Sequence, residues 1–227
     1  MARESRGLKL KESKKTNKKS TSTKDSKKSI DSGRNSKNFN LKNKMKIFCN
    51  SLETEFNYFK GFSIDVEKSH ISNIKVEVLK TQKKGGLDPF NAVKYVIDNK
   101  DDCNEVWIVF DKDHLDIEKA IILAEKHNIN VAWSNEAFEL WILNHFNRIT
   151  TSMNRKDCFD KVDENFKKKF KISYSKNNTN LYEILKTDIN RAINFSKAQY
   201  QLNTQPPNKA NPCTTVFKLA ESLQKKI

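Results

Sequence analysis

Short apolar runs along this chain alternate with stretches whose apolar residues recur every three or four positions. Lys46 to Cys49, Asn73 to Leu79, Val106 to Phe110 and Ile129 to Trp133 are short, apolar and rich in β-branched or aromatic residues, which predicts four strands. Between them lie helical patterns. One runs from about Glu53 to Gly61, with Phe56 and Phe59 on one face and Gly61 as its stop. A second opens at Asp88-Pro89, an N-cap followed by proline at the first helical position, and turns Phe90, Val93 and Ile97 inward. In the third, Ile117, Ala120, Ile121 and Ala124 recur at i, i+3, i+4, i+7. Strands alternating with helices at this spacing predict an α/β domain whose mostly parallel, four-stranded sheet is flanked by helices.

The pattern changes after residue 133. From Ser134 to Phe146 a helix is expected that is apolar nearly all round, and therefore buried, with Glu139 set into it. A carboxylate there either meets a cation, a metal or hydrogen-bond donors, or sits at the helix edge and reaches solvent. His145 continues the Phe138 stripe and reads as a hydrogen-bonded core residue before it reads as a ligand. No proline or glycine occurs between Pro89 and Pro206, which suits a helical C-terminal part. Leu181, Ile184, Leu185, Ile189, Ala192 and Ile193 describe one amphipathic helix; Asn203 to Pro212 breaks it, and Thr214-Thr215 caps a last helix.

Charge separates the N-terminus from the rest. Residues 1–46 hold 16 Lys/Arg against 4 Asp/Glu and so carry +12 of the chain's +15. Up to about Asn40 the large apolar residues are Leu8, Leu10, Ile30 and Phe39, too few to offset the entropy of ordering so long a segment. We therefore divide the chain into a disordered basic tail, 1–43, and a folded domain, 44–227. The tail suits phosphate neutralisation on nucleic acid, an acidic protein partner, or, if it reflects AT-rich coding, no partner. No apolar run approaches the ~18–20 residues of a membrane helix, nor does an apolar segment follow the basic N-terminus as in a secretory signal, so a cytoplasmic protein with no membrane partner is expected. Cys49, Cys103, Cys158 and Cys213 form no Cys-x-x-Cys pair and read as idle thiols.

Candidate chemistry centres on the acidic end of the third strand. Asp111 and Asp113 follow Val106 to Phe110, and in open α/β sheets ligands bind outside the carboxyl ends of the strands. Two residues apart, these carboxylates would point the same way if the strand continued, making a site for a hard cation such as Mg²⁺; a polar turn is the other reading. The five glycines form neither a Gly-x-Gly-x-x-Gly turn nor a Gly-x-x-x-x-Gly-Lys loop, which argues against nucleotide chemistry in this chain. Neither a Gly-x-Ser-x-Gly elbow nor a His pair at metalloprotease spacing is present.

Four ordered motifs resemble the RloB-like family, a branch of TOPRIM-type domains. They are Cys49 with Thr54-Glu55-x-Asn57-Tyr58-Phe59; Val109-Phe110-Asp111-Lys112-Asp113; Ser134-Asn135-x-x-Phe138-Glu139-Leu140-Trp141 with His145-Phe146; and Asn211-Pro212-x-Thr214-x-Val216. The resemblance spans about Lys44 to the C-terminus. It implies a TOPRIM-like fold, Mg²⁺- or Mn²⁺-dependent cleavage of DNA or RNA, a role in bacterial anti-phage defence or abortive infection, and an ATPase partner of the AAA or ABC type. Asp111, Asp113 and Glu55 would then hold the metal, with Asn50 and Glu139 completing the catalytic set. Lys112, the loop lysines Lys83 and Lys84, and tail lysines such as Lys14, Lys15, Lys18 and Lys19 would meet the nucleic-acid backbone. Where the family has Glu-Gly after the first strand, this chain has Asn50-Ser51. That departure fits an enzyme relying on Glu55, a catalytically impaired binding subunit, or a silenced site.

Overall fold

The computed structural model describes residues 43–69, 71, 73–81, 86–112 and 117–227. The chain divides into two units, Met1–Phe39 and Asn40–Ile227, and everything described belongs to the second. The expected sites Asp113, Lys83, Lys84, Lys14, Lys15, Lys18 and Lys19 lie outside the described residues.

The sheet has the order β2-β1-β3-β4-β5. Strands β1 (Asn43–Cys49), β2 (Ile74–Lys80), β3 (Glu105–Asp111) and β4 (Asn130–Asn135) are parallel, as the alternation of strands and helices predicts. A fifth strand, β5 (Cys213–Thr214), adds antiparallel to β4 through Ser134↔Thr214 and Asn135↔Cys213. The sequence reading placed Thr214 in a helix cap. Side chains add to this short ladder: Thr214 Oγ1 donates to Trp133 O at 3.1 Å, and just beyond the strand Trp133 N donates to Thr215 Oγ1 at 2.9 Å.

Both faces of the sheet are covered, so β3 is apolar over its five central residues, Val106 to Phe110, and these side chains sort by the two-residue period. Val106, Ile108 and Phe110 face the layer of α2 (Pro89–Asn99) and α3 (Ile117–Lys126). Trp107 and Val109 face the larger layer, built from α1 (Thr54–Ser69), α4 (Glu139–Leu143), α5 (Arg155–Phe170), α6 (Leu181–Leu185), α7 (Ile189–Leu202) and α8 (Val216–Gln224). Helix α2 begins as its sequence dictates: Asp88 Oδ1 accepts the Asn91 N–H at 3.0 Å, and Pro89 occupies the first turn, where its missing N–H costs nothing.

Several local expectations are corrected. Helix α1 does not stop at Gly61 but runs to Ser69. Gly61 is there because α6 packs against it: a Cβ would lie 2.8 Å from the Cβ of Tyr182. The Ser134 to Phe146 segment is buried as expected, yet Ser134 and Asn135 extend β4 and the helix is confined to Glu139–Leu143. The single amphipathic helix beginning at Leu181 is two, α6 and α7, with a 3₁₀ turn at Lys186–Asp188 between them. Among the described residues no helix is long and apolar enough to cross a membrane.

Candidate functional site at the strand tips

The carboxyl ends of β1 and β3 open on a cleft of about 380 Å³, into which α1, α4 and α5 also project residues. Asn50 follows β1 directly. Glu55 lies in the first turn of α1, Asp111 is the last residue of β3, Glu139 begins α4, and Arg155 begins α5. The segment after α5 brings Lys176 to the same rim. Five short-range consequences of chain direction thus place three carboxylates, a carboxamide and a guanidinium at one end of the sheet.

Asp111 lies within 3.3 Å of Arg155 Nη1. The same guanidinium donates through Nη2 to Lys112 O at 3.4 Å and Glu136 O at 3.3 Å, tying the tip of β3 to the link between β4 and α4. Arg155 is aimed there by its own helix cap, since Asn154 Oδ1 accepts the Asp157 N–H at 2.9 Å. Lys112, expected on the nucleic-acid backbone, pairs with Glu136 at 3.1 Å.

Glu139 is 2% exposed and finds the partners that burial demands. Tyr174 donates its hydroxyl to Glu139 Oε1 at 3.1 Å, and Lys176 Nζ lies 3.6 Å from the same oxygen. Burial beside Glu139 pushes the Tyr174 phenol well above its usual range, so it remains a donor.

Glu55, also 2% exposed, is held differently. Burial raises its carboxyl to about 7, and the charge of Glu139 pushes the same way; the Ser51 hydroxyl, Glu55's own N–H and Lys176 offset part of this. A carboxyl poised there exchanges its proton near neutral pH, the property a general acid or base needs.

Asn50 is braced rather than presented. Its Oδ1 accepts from Thr81 Oγ1 at 2.9 Å and Leu87 N at 3.1 Å, while Nδ2 donates to Leu87 O at 2.6 Å. Both lone pairs of the amide oxygen are in use, which leaves none for a cation unless a bond is given up. His145 is core, as expected. Its Nδ1 faces the Trp141 carbonyl at 3.0 Å, which makes Nδ1 the protonated nitrogen and Nε2, 3.2 Å from the Tyr58 hydroxyl, the acceptor. Burial lowers its pKa to about 4, so it is neutral.

Glu55, Asp111 and Glu139 are hard oxygen donors of the kind that Mg²⁺ and Mn²⁺ take. Among the described residues no three His, Cys, Asp or Glu side chains are gathered so as to hold a metal ion; Asp113, the expected companion of Asp111, lies outside them. The donor chemistry therefore fits a divalent cation, with the described part of the set incomplete.

Arg155, Tyr174 and Lys176 were missed in the sequence. A cap signal, Asn154 ahead of Asp157, marks the start of α5, but nothing in Lys171-Ile172-Ser173-Tyr174-Ser175-Lys176 distinguishes it from a solvated loop.

Comparison with family models matches residues 45–223 to the RloB-like protein family. No curated protein and no solved structure matches the chain. Residues of three of the four motifs line the cleft, and with the family model covering most of its length this chain belongs to the RloB-like family.

Proposed function

We propose that this protein is a Mg²⁺- or Mn²⁺-dependent nuclease that hydrolyses phosphodiester bonds in DNA or RNA. It would act in the cytoplasm as the effector of an anti-phage, abortive-infection system with an AAA- or ABC-type ATPase. The observation that carries this reading is Glu55: a buried carboxyl raised to about 7, in the cleft that Asp111 and Glu139 share at the strand tips. Asp111 and Glu55, with Asp113, would hold a divalent cation, which when bound neutralises phosphate charge and acidifies water. Burial chiefly raises the Glu55 carboxyl, and Glu139, fixed by Tyr174 and Lys176, adds to that rise. Loading the site must then release the Glu55 proton, so cation affinity rises with pH toward neutrality.

The test is cleavage of tRNA, duplex DNA and single-stranded DNA by the purified chain with Mg²⁺ or Mn²⁺, alone and with the ATPase. Glu55→Gln should lower the rate ~10²–10⁴-fold, the range of general acid/base catalysis. Wild-type protein that cleaves none of the three, with or without the ATPase, would overturn the reading. The second reading, a TOPRIM-like subunit that binds nucleic acid or a partner without cutting, is favoured by Asn50, whose amide oxygen is spent on Thr81 and Leu87 where the family has a glutamate.

A further inference from the structure

Among the described residues the cations beside the cleft are already engaged: Arg155 with Asp111, Lys176 with Glu139, and Lys112 with Glu136. A phosphodiester backbone entering the cleft therefore meets described side-chain cations already committed to carboxylates, so uncommitted positive charge beside the cleft would add to what a bound divalent cation supplies.

A second concavity of about 370 Å³ lies between the turn after α4 and the segment after α7. Arg148, Thr150, Asn203, Gln205 and Lys209 line it, and no acid does. Arg148 and Lys209 are exposed and have no salt-bridge partner among the described residues. Single unpaired cations are ordinary on a surface. Two of them converging on an acid-free concavity, among amide and hydroxyl donors, match what a phosphate oxygen accepts.

The groove is also joined to the cleft. Thr150 lines the groove and Arg155 the cleft, and Met153 between them is gripped by Asn211, which accepts Met153 N–H on Oδ1 at 3.2 Å and donates Nδ2 to Met153 O at 2.8 Å. The connecting segment is thus fixed. Five residues span at most ~18 Å, about five nucleotide steps at ~3.4 Å along one strand.

We propose that the groove of Arg148 and Lys209 binds the phosphodiester backbone of a nucleic acid whose reacting portion occupies the neighbouring cleft. This rests on the nucleic-acid reading of the cleft and adds where the substrate is held. Arg148 supplies a planar fork suited to one phosphate and Lys209 a point charge for the next.

The test is fluorescence anisotropy of the full chain with a labelled single-stranded oligonucleotide, as DNA and as RNA of one sequence, in EDTA across a salt series. The double variant Arg148→Ala/Lys209→Ala should bind at least ~10-fold more weakly, and its slope of log K against log salt should be shallower by about 1.4, two phosphates at ~0.7 each. The variant Lys68→Ala/Lys119→Ala, which loses the same charge from helices remote in sequence from the groove, should match wild type. Equal weakening in both variants would reduce the effect to net charge and overturn the proposal, as would an unchanged groove variant. Wild-type protein that binds but does not cleave under metal would sink the nuclease reading and leave the groove standing. Wild-type protein that binds neither probe would overturn the groove proposal, and the nuclease reading would then stand or fall on the cleavage assay alone.

Discussion

Asn50 holds Leu87 by both of its backbone polar groups, accepting its N–H at 3.1 Å and donating to its carbonyl at 2.6 Å. A carboxamide can do both; a carboxylate cannot, because it has no hydrogen to give. Asn50→Asp should therefore leave the Leu87 carbonyl facing an anion and lower stability by about 1–3 kcal/mol, read from urea unfolding. Asn50→Glu should destabilise likewise without raising Mn²⁺ affinity or cleavage. Gains in both would show that the position still accepts the ligand role of the family's glutamate.

Glu55 predicts the sign of a pH dependence. Its folded pKa of about 7 lies above the ordinary value near 4.5, so between those two the folded state binds more protons than the unfolded state. Stability from this group is complete below about pH 4.5 and is lost as pH rises through 7, by a few kcal/mol at most. Thermal melts should show Glu55→Gln to be more stable than wild type above neutral pH and nearly equal to it at pH 4.5. The opposite order would mean that Glu55 is ionised and well paired in the resting protein.

Asp111→Ala should separate binding from folding. Its pairing with Arg155 is partly exposed, a kind of contact worth about 0–1 kcal/mol, so unfolding should barely move. Titration calorimetry should meanwhile show Mn²⁺ affinity lower by tenfold or more, about 1.4 kcal/mol. Unchanged affinity in an Asp111/Asp113 double alanine variant would place the cation elsewhere.

Gly61→Ala sets two effects against each other. Alanine gains up to ~1 kcal/mol of helix propensity in α1, but its Cβ meets that of Tyr182 at 2.8 Å, a contact neither helix relieves without shifting. Overpacking of this kind costs ~1–3 kcal/mol. We expect a net loss in chemical denaturation; a gain would show that α6 moves freely.

The basic segment before residue 40 should supply sequence-independent affinity. If 6–10 of its cations touch phosphates, binding should fall ~10³–10⁵-fold between 50 and 200 mM salt, and removing the segment should flatten that slope. An equal slope with and without it would point instead to an acidic protein partner, or to coding bias.

What could be read in the sequence follows from what periodicity records. β3 was legible because burial on both faces makes five consecutive positions apolar and the abrupt return to acid marks the tip. The Asp88-Pro89 start of α2 was legible because a cap is local chemistry. Gly61 misled because its reason is Tyr182, more than a hundred residues away, and a lone sequence does not report that contact. Helix α5 carries three buried side chains, Cys158, Val162 and Phe166, in an otherwise charged stretch, so its apolar stripe is too thin to stand out. Arg155, Tyr174 and Lys176 escaped for a related reason: each acts on a carboxylate brought near by the fold rather than by spacing along the chain.

The antiparallel closure of β4 also has a bearing on synthesis. Trp133 and the Thr215 that satisfies its backbone are 82 residues apart, which at ~5–20 residues per second is roughly 4–16 s of translation. Through that interval the outer backbone edge of an apolar strand waits on a segment the ribosome has not yet made. Such an edge can pair with any extended chain it meets, including the same strand of a neighbouring nascent copy. Dense polysomes or slow codons in the last third of the message would lengthen the wait, so yield should depend on elongation rate even where the finished protein is stable.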